Sequence, residues 1–539
     1  ASRILDAKSP GEVFARHYDS PSIRIYMLGV SFLFAVPLAS YLLSEASGLL
    51  ASASSGAISR LSAVFYIGMF TFIFASLGGW RAVVYVTAAL SVLMGLLLIF
   101  MGGLITTALG DVALFHDGLK VAQGVLVDAI PGVIQFSPGL GRTPAEGGLF
   151  TALAILSFAV SAVGIAISPN FSFLGLTTKP SRGFAFSQVW VVAGLGAGLL
   201  IGLAPFIAAE VEGGKPDAFQ ALFAKLSALD GMAGAALILM LLSGLLLGFA
   251  YFAISGANIF TMEVVNRYLL PKLSSGGQRL SSRIVLAITF ALIIFISGFV
   301  PALGSSFAPL AAGISVQLFM AYLGLCWMPW LSRGAVLVGM CFGALVVFFT
   351  EAPGLILFDK LFVSLPWGRW PLTVHSAAWG LMVNIFFCLL VAIFNRKGPE
   401  RTHRDRLHDI FARDHKTDFG GRAAQGAKWS LTLIWAFLAI GPGAVLGNNF
   451  FSKPIFSEID VKLGIPSLWV WEILFWVIGV FLVWWLAYRT QLSVIDTERL
   501  RVGELAEDPR LVTSQRQPQW LKQLVDRLST RPAQTSRVR

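Results

Sequence analysis

Long apolar runs separated by short polar loops recur along the chain. Twelve of them are close to 20 residues long, the length that an α-helix needs to cross a hydrocarbon core of ~30 Å. The runs lie at residues 24–44, 61–80, 82–109, 149–168, 186–209, 231–256, 284–303, 308–328, 334–350, 376–395, 429–447 and 467–488. Residues 61–80 and 82–109 are almost contiguous and predict one tight helical hairpin. The pattern predicts an all-α polytopic membrane protein with about twelve transmembrane helices.

Composition agrees with this interpretation. The 539 residues are 56% hydrophobic and only 13% charged, whereas soluble domains average about 25% charged residues. The first 23 residues are polar, so we expect no cleavable signal peptide. Cys326, Cys341 and Cys388 all lie in apolar runs, which favours packing in helix contacts over a disulfide framework.

Basic residues predict the orientation. If the amino terminus is cytoplasmic, seven cytoplasmic segments hold 31 of the 40 Lys and Arg residues. Because cytoplasmic loops are enriched in these residues, the chain is expected to have both termini inside, in a bacterial inner membrane. The net charge of +11 is then a result of topology, and we expect no nucleic-acid partner.

The runs divide the chain into five parts. We predict a cytoplasmic segment at 1–23, a ten-helix transmembrane domain at 24–395, a charged cytoplasmic linker at 396–428, a pair of helices at 429–488 and a basic tail at 489–539. Residues 110–148 and 351–373 are expected to cap the outer face. The linker holds His403, His408 and His415, whose spacing favours a solvated loop over a metal site. The tail is expected to contact anionic lipid headgroups or a partner.

Motifs for catalysis are missing. The sequence has no HExxH, Walker A or GxSxG pattern in a suitable context, so we expect neither an enzyme nor a bound cofactor. Glycines at four-residue spacing in the fifth run predict close helix packing rather than a nucleotide site; they are Gly194, Gly198 and Gly202.

Polar residues at membrane depth are the candidates for function, because each is costly in hydrocarbon. Ser255 and Asn258 end the sixth run and are candidates for ion binding. Ser157, Ser161 and Gln317 are candidates for a substrate pathway. Two interpretations stay open for them, since the same groups serve interhelical hydrogen bonding. Asn384 has the same two interpretations.

Five segments resemble, in order, signatures of the sodium/solute symporter family. They read GGWRAVVYV (78–86), SPNFSFLGLTTKPSRGFAFSQVW (168–190), GFAYFAISGANIFTMEVVNRYLLPKL (248–273), LGLCWMPWLSRGAVLVGMCFGALVV (323–347) and VHSAAWGLMVNIFFCLLVAIF (374–394). In the first, Gly78, Gly79 and Arg81 match a helix-hairpin signature and are expected to be structural. The resemblance implies a leucine-transporter-type fold of two inverted five-helix repeats.

The same resemblance implies secondary active uptake of a small solute, with Na+ or a proton as coupling ion. FARHYDSPSIRIY (14–26) is similar to the stretch that follows core helix two, so the chain would correspond to core helices three to ten plus peripheral helices. A second chain would then supply core helices one and two. The pair at 429–488 is similar to a small two-helix partner subunit of some symporters.

Two departures from the family pattern support a different function. The family's pair of hydroxyls for sodium falls at Ser255–Gly256 or at Leu247–Gly248, and glycine has no side-chain oxygen. The family's aspartate and glutamine fall at Thr87 and Leu90. The alternative is therefore a transporter-derived scaffold, sensor or accessory subunit that does not transport.

Overall fold

The computed structural model describes residues 5, 7–108, 130, 132–134, 140, 151–177, 187, 189–194, 196, 227–228, 231–271, 273–361, 365–394, 399–414, 422–451 and 467–489. Every regular element in this part of the chain is helical. We label the α-helices α1 (Pro10–Tyr18), α2 (Pro21–Leu33), α3 (Ala39–Ala53), α4 (Arg60–Ala108), α5 (Ala152–Ala166), α6 (Pro169–Thr177), α7 (Gly231–Phe260), α8 (Ser275–Phe299), α9 (Pro301–Ser315), α10 (Phe319–Cys326), α11 (Arg333–Thr350), α12 (Ala352–Lys360), α13 (Ser376–Phe394), α14 (Pro399–Asp414), α15 (Arg422–Ala439) and α16 (Ser467–Trp484).

The described residues contain eight helices long and apolar enough to cross a membrane, or up to ten if two bent pairs each form one span. This is consistent with the predicted helical polytopic membrane protein. The sequence count of twelve differs from this for two reasons. The broken helix α4 is counted here as one helix, and residues 186–209 lie largely outside the described part. The predicted cap at 110–148 also lies almost entirely outside it.

Local sequence signals set several helix starts. Ser9, Thr151, Ser274 and Ser332 precede α1, α5, α8 and α11, and each side chain accepts a hydrogen bond from a backbone N–H of the first turn. Such caps satisfy amides that the helix itself leaves unpaired. α1, α2 and α9 have proline at the first helical position, where the missing N–H costs nothing.

Gly79 breaks α4. Its φ of 63° and ψ of −166° are not helical. The apolar part of α4, Arg60–Met101, has 42 residues and as one continuous helix would measure ~63 Å, twice the hydrocarbon thickness. Leu61, in the first arm, packs beside Gly298 of α8, and Met94, in the second arm, packs beside Gly244 of α7. Since α7 and α8 are connected and antiparallel, both arms run back to the same side. The contacts describe the hairpin that the sequence predicts.

Three other interruptions lie in the helical core. The turns between α2 and α3 are π-helical at Phe34–Leu38 and contain Pro37. α5 and α6 meet at a bend of 47°, and a 3₁₀ segment at Val316–Leu318 separates α9 from α10. Phe34 and Leu318 are buried in one large hydrophobic cluster, and Ile167 packs against it. The three breaks therefore border the same cluster.

α11 and α13 approach each other through glycines. A Cβ added at Gly380 would lie 2.7 Å from the carbonyl oxygen of Gly343 and 2.6 Å from Val347. Backbones can come this close only where side chains are missing. This contact places Asn384 of α13 against the 3₁₀ segment that carries Gln317.

A buried ion pair joins the first helices to the end of α7. Arg24 Nε lies 2.6 Å from Glu263 Oε2, and the two side chains are 5% and 3% exposed. The Ser9 hydroxyl donates to the other carboxylate oxygen, and Gly11 packs against the same group. Glu263 belongs to the π-helical continuation of α7 at Thr261–Leu269. A charge buried here would be costly without these partners.

The prediction of a solvated linker is wrong for residues 399–414. They form α14, in which His403, Arg404 and Leu407 are buried. Arg404 Nε donates to the Pro329 carbonyl at 2.8 Å, and His408 Nε2 lies 3.2 Å from His17 Nε2 of α1. Sequence periodicity missed this docking because the helix is charged and its apolar face is narrow. His415 lies outside the described residues.

The carboxy-terminal pair packs as a unit and also contacts the rest of the chain. Trp435 Nε1 of α15 donates to the Phe475 carbonyl of α16 at 2.8 Å, and Gly479 lies against the Trp435 ring. The 3₁₀ turn at Pro442–Asn448 follows α15, and both hydrogen bonds of the Asn448 amide go to the backbone of Ile130, at 2.8 Å each. Residues 490–539, which make up nearly all of the predicted tail, lie outside the described part.

Replacing Gly79 by alanine tests the hairpin. No atom of the described residues lies within 4 Å of an added Cβ at Gly79, so the change is expected to act through backbone strain. We expect a loss of about 1–3 kcal/mol, measured as a lower midpoint of thermal unfolding in detergent. Gly29→Ala is the matched control, because Gly29 is helical and also has open space around it. An equal midpoint for both variants would contradict the strained turn.

The docking of α14 is expected to depend on pH. Burial holds the pKa of His17 well below its ordinary value, and the nearby His408, Arg404 and His403 add to this effect; burial also lowers the pKa of His408. The docked state therefore binds fewer protons than the undocked state. Docking is fully stable above about pH 6.5, the ordinary histidine pKa, and weakens as the pH falls below it.

Hydrogen exchange of the α14 amides at pH 8.0 and pH 5.5 measures this dependence. We expect faster exchange at the lower pH, and a smaller difference in His17→Gln, whose amide keeps an acceptor for His408 and does not titrate. Arg406→Gln, at an exposed position of α14, controls for changes in helix charge. An unchanged pH effect in His17→Gln would contradict the prediction.

Candidate functional site

Ser255 lies at the contact of α7 with α6. It is fully buried, and its hydroxyl accepts a hydrogen bond from Asn170 Nδ2 at 2.9 Å while donating to the Phe252 carbonyl at 3.2 Å. Tyr251, one turn earlier, donates to the Asn170 carbonyl at 3.0 Å. The hydroxyl predicted to bind an ion is therefore also part of an interhelical hydrogen-bond network.

Asn170 is the residue that the sequence interpretation missed. It follows Pro169 at the start of α6, directly after the 47° bend, and it is fully buried. Its Oδ1 atom has no hydrogen-bond partner among the described residues. The asparagine after a serine–proline pair at a helix break was the available signal. Asn170 Oδ1 and Ser255 Oγ are neutral oxygens of the kind that can serve as ligands of alkali cations.

Gly256 is a packing position. A Cβ there would overlap the Cβ of Ala35, in the π-helical segment between α2 and α3, and would lie 3.4 Å from Asn170 Nδ2. The resemblance to the symporter family places Gly256 where the second hydroxyl of the sodium-binding pair is expected. The tertiary contact gives a physical reason for the glycine: in this arrangement no side chain fits between α7 and Ala35.

Asn258 faces a different helix from Ser255. It is half-buried, and its Oδ1 accepts a hydrogen bond from Ser282 of α8 at 3.4 Å. The two residues proposed from the sequence as one ion site therefore have separate partners.

Gln317 and Asn384 are brought together. Both are fully buried, and Asn384 Nδ2 donates to the Gln317 backbone carbonyl at 2.7 Å and to its Oε1 at 3.2 Å. Gln317 Nε2 donates to the Gly313 carbonyl at 2.9 Å. The pair supplies a partner for a carbonyl at the 3₁₀ break, where helical hydrogen bonding is interrupted. Of the two interpretations, interhelical hydrogen bonding is observed here, and a role in a pathway stays a prediction.

Ser157 and Ser161 lie on α5. Ser157 is buried, donates to the Ala154 carbonyl at 2.7 Å and accepts from the His375 backbone N–H at 2.8 Å. Ser161 is half-buried. α5 itself packs closely on α9, because Gly164 lies against the Ala312 carbonyl.

The residues assigned structural roles differ in their surroundings. Gly78 packs against Ala82 at the hairpin turn, and Arg81 beside it is exposed. Gly194 has no described atom within 4 Å of an added Cβ, whereas its neighbour Gly196 packs against Trp476 of α16. The expected close contact is therefore absent at Gly194 within the described residues, and Gly198 and Gly202 lie outside them.

The candidate side chains Ser157, Ser161, Asn170, Ser255, Gln317 and Asn384 carry only hydroxyl and amide groups. Thr87, where the family has an aspartate, is buried and donates to the Val84 carbonyl of its own helix at 3.1 Å. The described residues contain no group of three or more His, Cys, Asp or Glu arranged to hold a metal ion. What the arrangement offers is a few neutral oxygens beside three helix breaks.

No family model and no curated protein matches the chain. The symporter resemblance therefore depends on the five segments quoted above.

The contact of Gly256 with Ala35 can be tested by exchange of the two residues. Gly256→Ala is expected to destabilise the protein by about 1–3 kcal/mol, because the added methyl group has no space. The double variant Gly256→Ala/Ala35→Gly is expected to recover much of this loss, since it removes the methyl group that collides. Gly48→Ala is the control, as Gly48 of α3 has open space. A double variant no more stable than Gly256→Ala would contradict the contact.

Proposed function

We propose that the chain is a membrane-transport subunit of the sodium/solute symporter type. The observation that carries this proposal is the convergence of three interrupted helices on one hydrophobic cluster, through Phe34, Ile167 and Leu318. Secondary transporters bind substrate and coupling ions where discontinuous helices meet near the membrane midplane. Irregular backbone in a membrane is otherwise costly, so its occurrence at one site favours a functional role.

The chemistry of the buried groups favours a cation over a proton as the coupling ion. Asn170 and Ser255 present neutral oxygens that do not titrate in the physiological range, and Asn170 Oδ1 lacks a described partner. Hard cations such as Na+ take oxygen ligands of this type. The transported molecule is a small solute, and the surrounding partners are membrane lipids. In this proposal a small partner subunit supplies core helices one and two and completes the site.

A second function has its own support. Ser255 already has a donor and an acceptor, and Gly256 is in van der Waals contact with Ala35, so this arrangement leaves little room for a ligand. These contacts favour the transporter-derived scaffold or accessory subunit, in which a former ion site has become a packing contact.

Uptake by membrane vesicles separates the two. Vesicles from cells that express the chain with its adjoining genes would be given imposed Na+ or proton gradients and a panel of labelled small organic anions and amino acids. We expect gradient-driven accumulation of one class, reduced at least about tenfold in Ser255→Ala, because a charge-bearing ligand contact is worth about 1.5–3 kcal/mol.

Ser243→Ala is the matched control. Ser243 is on the same helix and equally buried, but its hydroxyl bonds only to the Leu239 carbonyl of its own helix, at 2.6 Å. Uptake should be unchanged in this variant. Accumulation of no solute under either gradient, with intact protein in the membrane, would overturn the transport proposal and support the scaffold.

A further inference from the structure

Three residues with an unusual backbone conformation lie between α12 and α13. Trp370, Leu372 and Thr373 have φ values of 55°, 58° and 61°, in the left-handed region that favours glycine. Residues with a Cβ adopt it at a cost, and they keep it only where the surroundings enforce it. Residues 369–373, which we call the strap, are therefore held in place by contacts with other parts of the chain.

Glu351 is the main holder. Its side chain is fully buried, and one carboxylate oxygen accepts a hydrogen bond from Arg369 Nε at 3.0 Å while the other accepts from Trp370 Nε1 at 2.9 Å. The Arg369 guanidinium also lies over the Trp370 ring, 4.2 Å from its centre. One carboxylate at the end of α11 thus fixes the first two residues of the strap.

The far end of the strap is tied to α5 and to the start of α13. Thr373 and Thr151 share a hydrogen bond of 3.0 Å, and the His375 backbone N–H donates to Ser157. The Phe158 ring packs against Trp370 and His375, with ring centres 5.1 and 4.9 Å apart. The strap therefore lies beside the start of α5, the end of α11 and the start of α13, and the adjoining His375 backbone contacts Ser157.

The two side chains of the Glu351–Arg369 pair differ in their exposure to solvent. The Arg369 side chain is 42% exposed, whereas Glu351 is not exposed at all. Water can compete for the guanidinium at the surface, whereas the buried carboxylate has as its other partners Trp370 Nε1 and, at 3.8 Å, His375 Nε2. Release of Arg369 would thus remove the charge that compensates a buried carboxylate.

We propose that residues 369–373 form a strained strap that Glu351 latches across the ends of α5, α11 and α13. Backbone strain favours opening, and the paired hydrogen bonds to Glu351 favour closure. Opening lets Trp370, Leu372 and Thr373 leave the left-handed region, hydrates Glu351 and exposes the buried Thr151 at the start of α5. Such opposed terms give an element with two arrangements. The latch follows from these contacts alone and does not require that the chain transports a solute.

Thiol labelling tests the latch in purified full-length protein. Cys326, Cys341 and Cys388 are first replaced by alanine, and Thr373→Cys then introduces a reporter at a site that is 2% exposed. Its reaction with a water-soluble maleimide requires the strap to open. We expect Glu351→Gln and Arg369→Gln each to raise the labelling rate about tenfold, since each removes a charge-assisted hydrogen bond.

Two further variants examine the mechanism. The double variant Glu351→Gln/Arg369→Gln should label no faster than the faster single variant, because both changes break one interaction. Leu372→Gly should slow labelling, by about fivefold, since glycine adopts positive φ without strain. Faster labelling in Leu372→Gly, or additive rates in the double variant, would overturn the proposal.

Matched controls separate opening of the strap from general loosening. Asp359→Asn changes an exposed carboxylate in the neighbouring helix α12 and should leave the rate unchanged. A second reporter, Ser243→Cys in α7, should label equally slowly with and without Glu351→Gln. Equal acceleration at both reporters, or no acceleration at Thr373→Cys, would overturn the latch.

Discussion

A polar backbone group freed inside a membrane helix must find its partner within the protein, because hydrocarbon supplies none. The described core contains breaks at Phe34–Leu38, at the α5–α6 bend and at Val316–Leu318. At the Val316–Leu318 break, the Asn384 amide donates a hydrogen bond to the Gln317 backbone carbonyl. Proline at position 37 has no N–H to satisfy. The convergence of these breaks on one cluster determines which helices must touch, and hence where Asn170, Ser255 and Gln317 lie.

Close helix contact is the second requirement, and it competes with ligand binding. Gly256 against Ala35, Gly164 against Ala312 and Gly343 against Gln317 allow the helices to approach until no side chain fits between them. A transporter must separate such contacts during its cycle, whereas a scaffold keeps them. The same glycine contacts therefore support either function. What favours a ligand is the Asn170 oxygen, which, like that of Asn384, has no hydrogen-bond partner among the described residues.

Charged groups near the helix ends are paired, and each pair has at least one buried member. The Arg24–Glu263 pair joins the amino-terminal helices to the end of α7. The Glu351–Arg369 pair joins the end of α11 to the strap. The histidines and Arg404 of α14 contact α1 and the turn before α11. Removing one member of such a pair leaves a buried charge, which costs more than the pair contributes. These contacts set how firmly the ends of the bundle are closed.

The sequence by itself determined the helical class, most of the spans and the hairpin at Gly79, because about 20 apolar residues in hydrocarbon have few alternatives to a helix. It also identified Ser255, Gln317 and Asn384 as costly groups at membrane depth. Their partners depended on tertiary structure: Asn170 is 85 residues from Ser255, and Asn384 is 67 residues from Gln317. The docking of α14 and the strap at 369–373 were likewise hidden, since charged or short segments carry no apolar period. Local patterns report what each segment buries, and only the folded chain decides against which partner it does so.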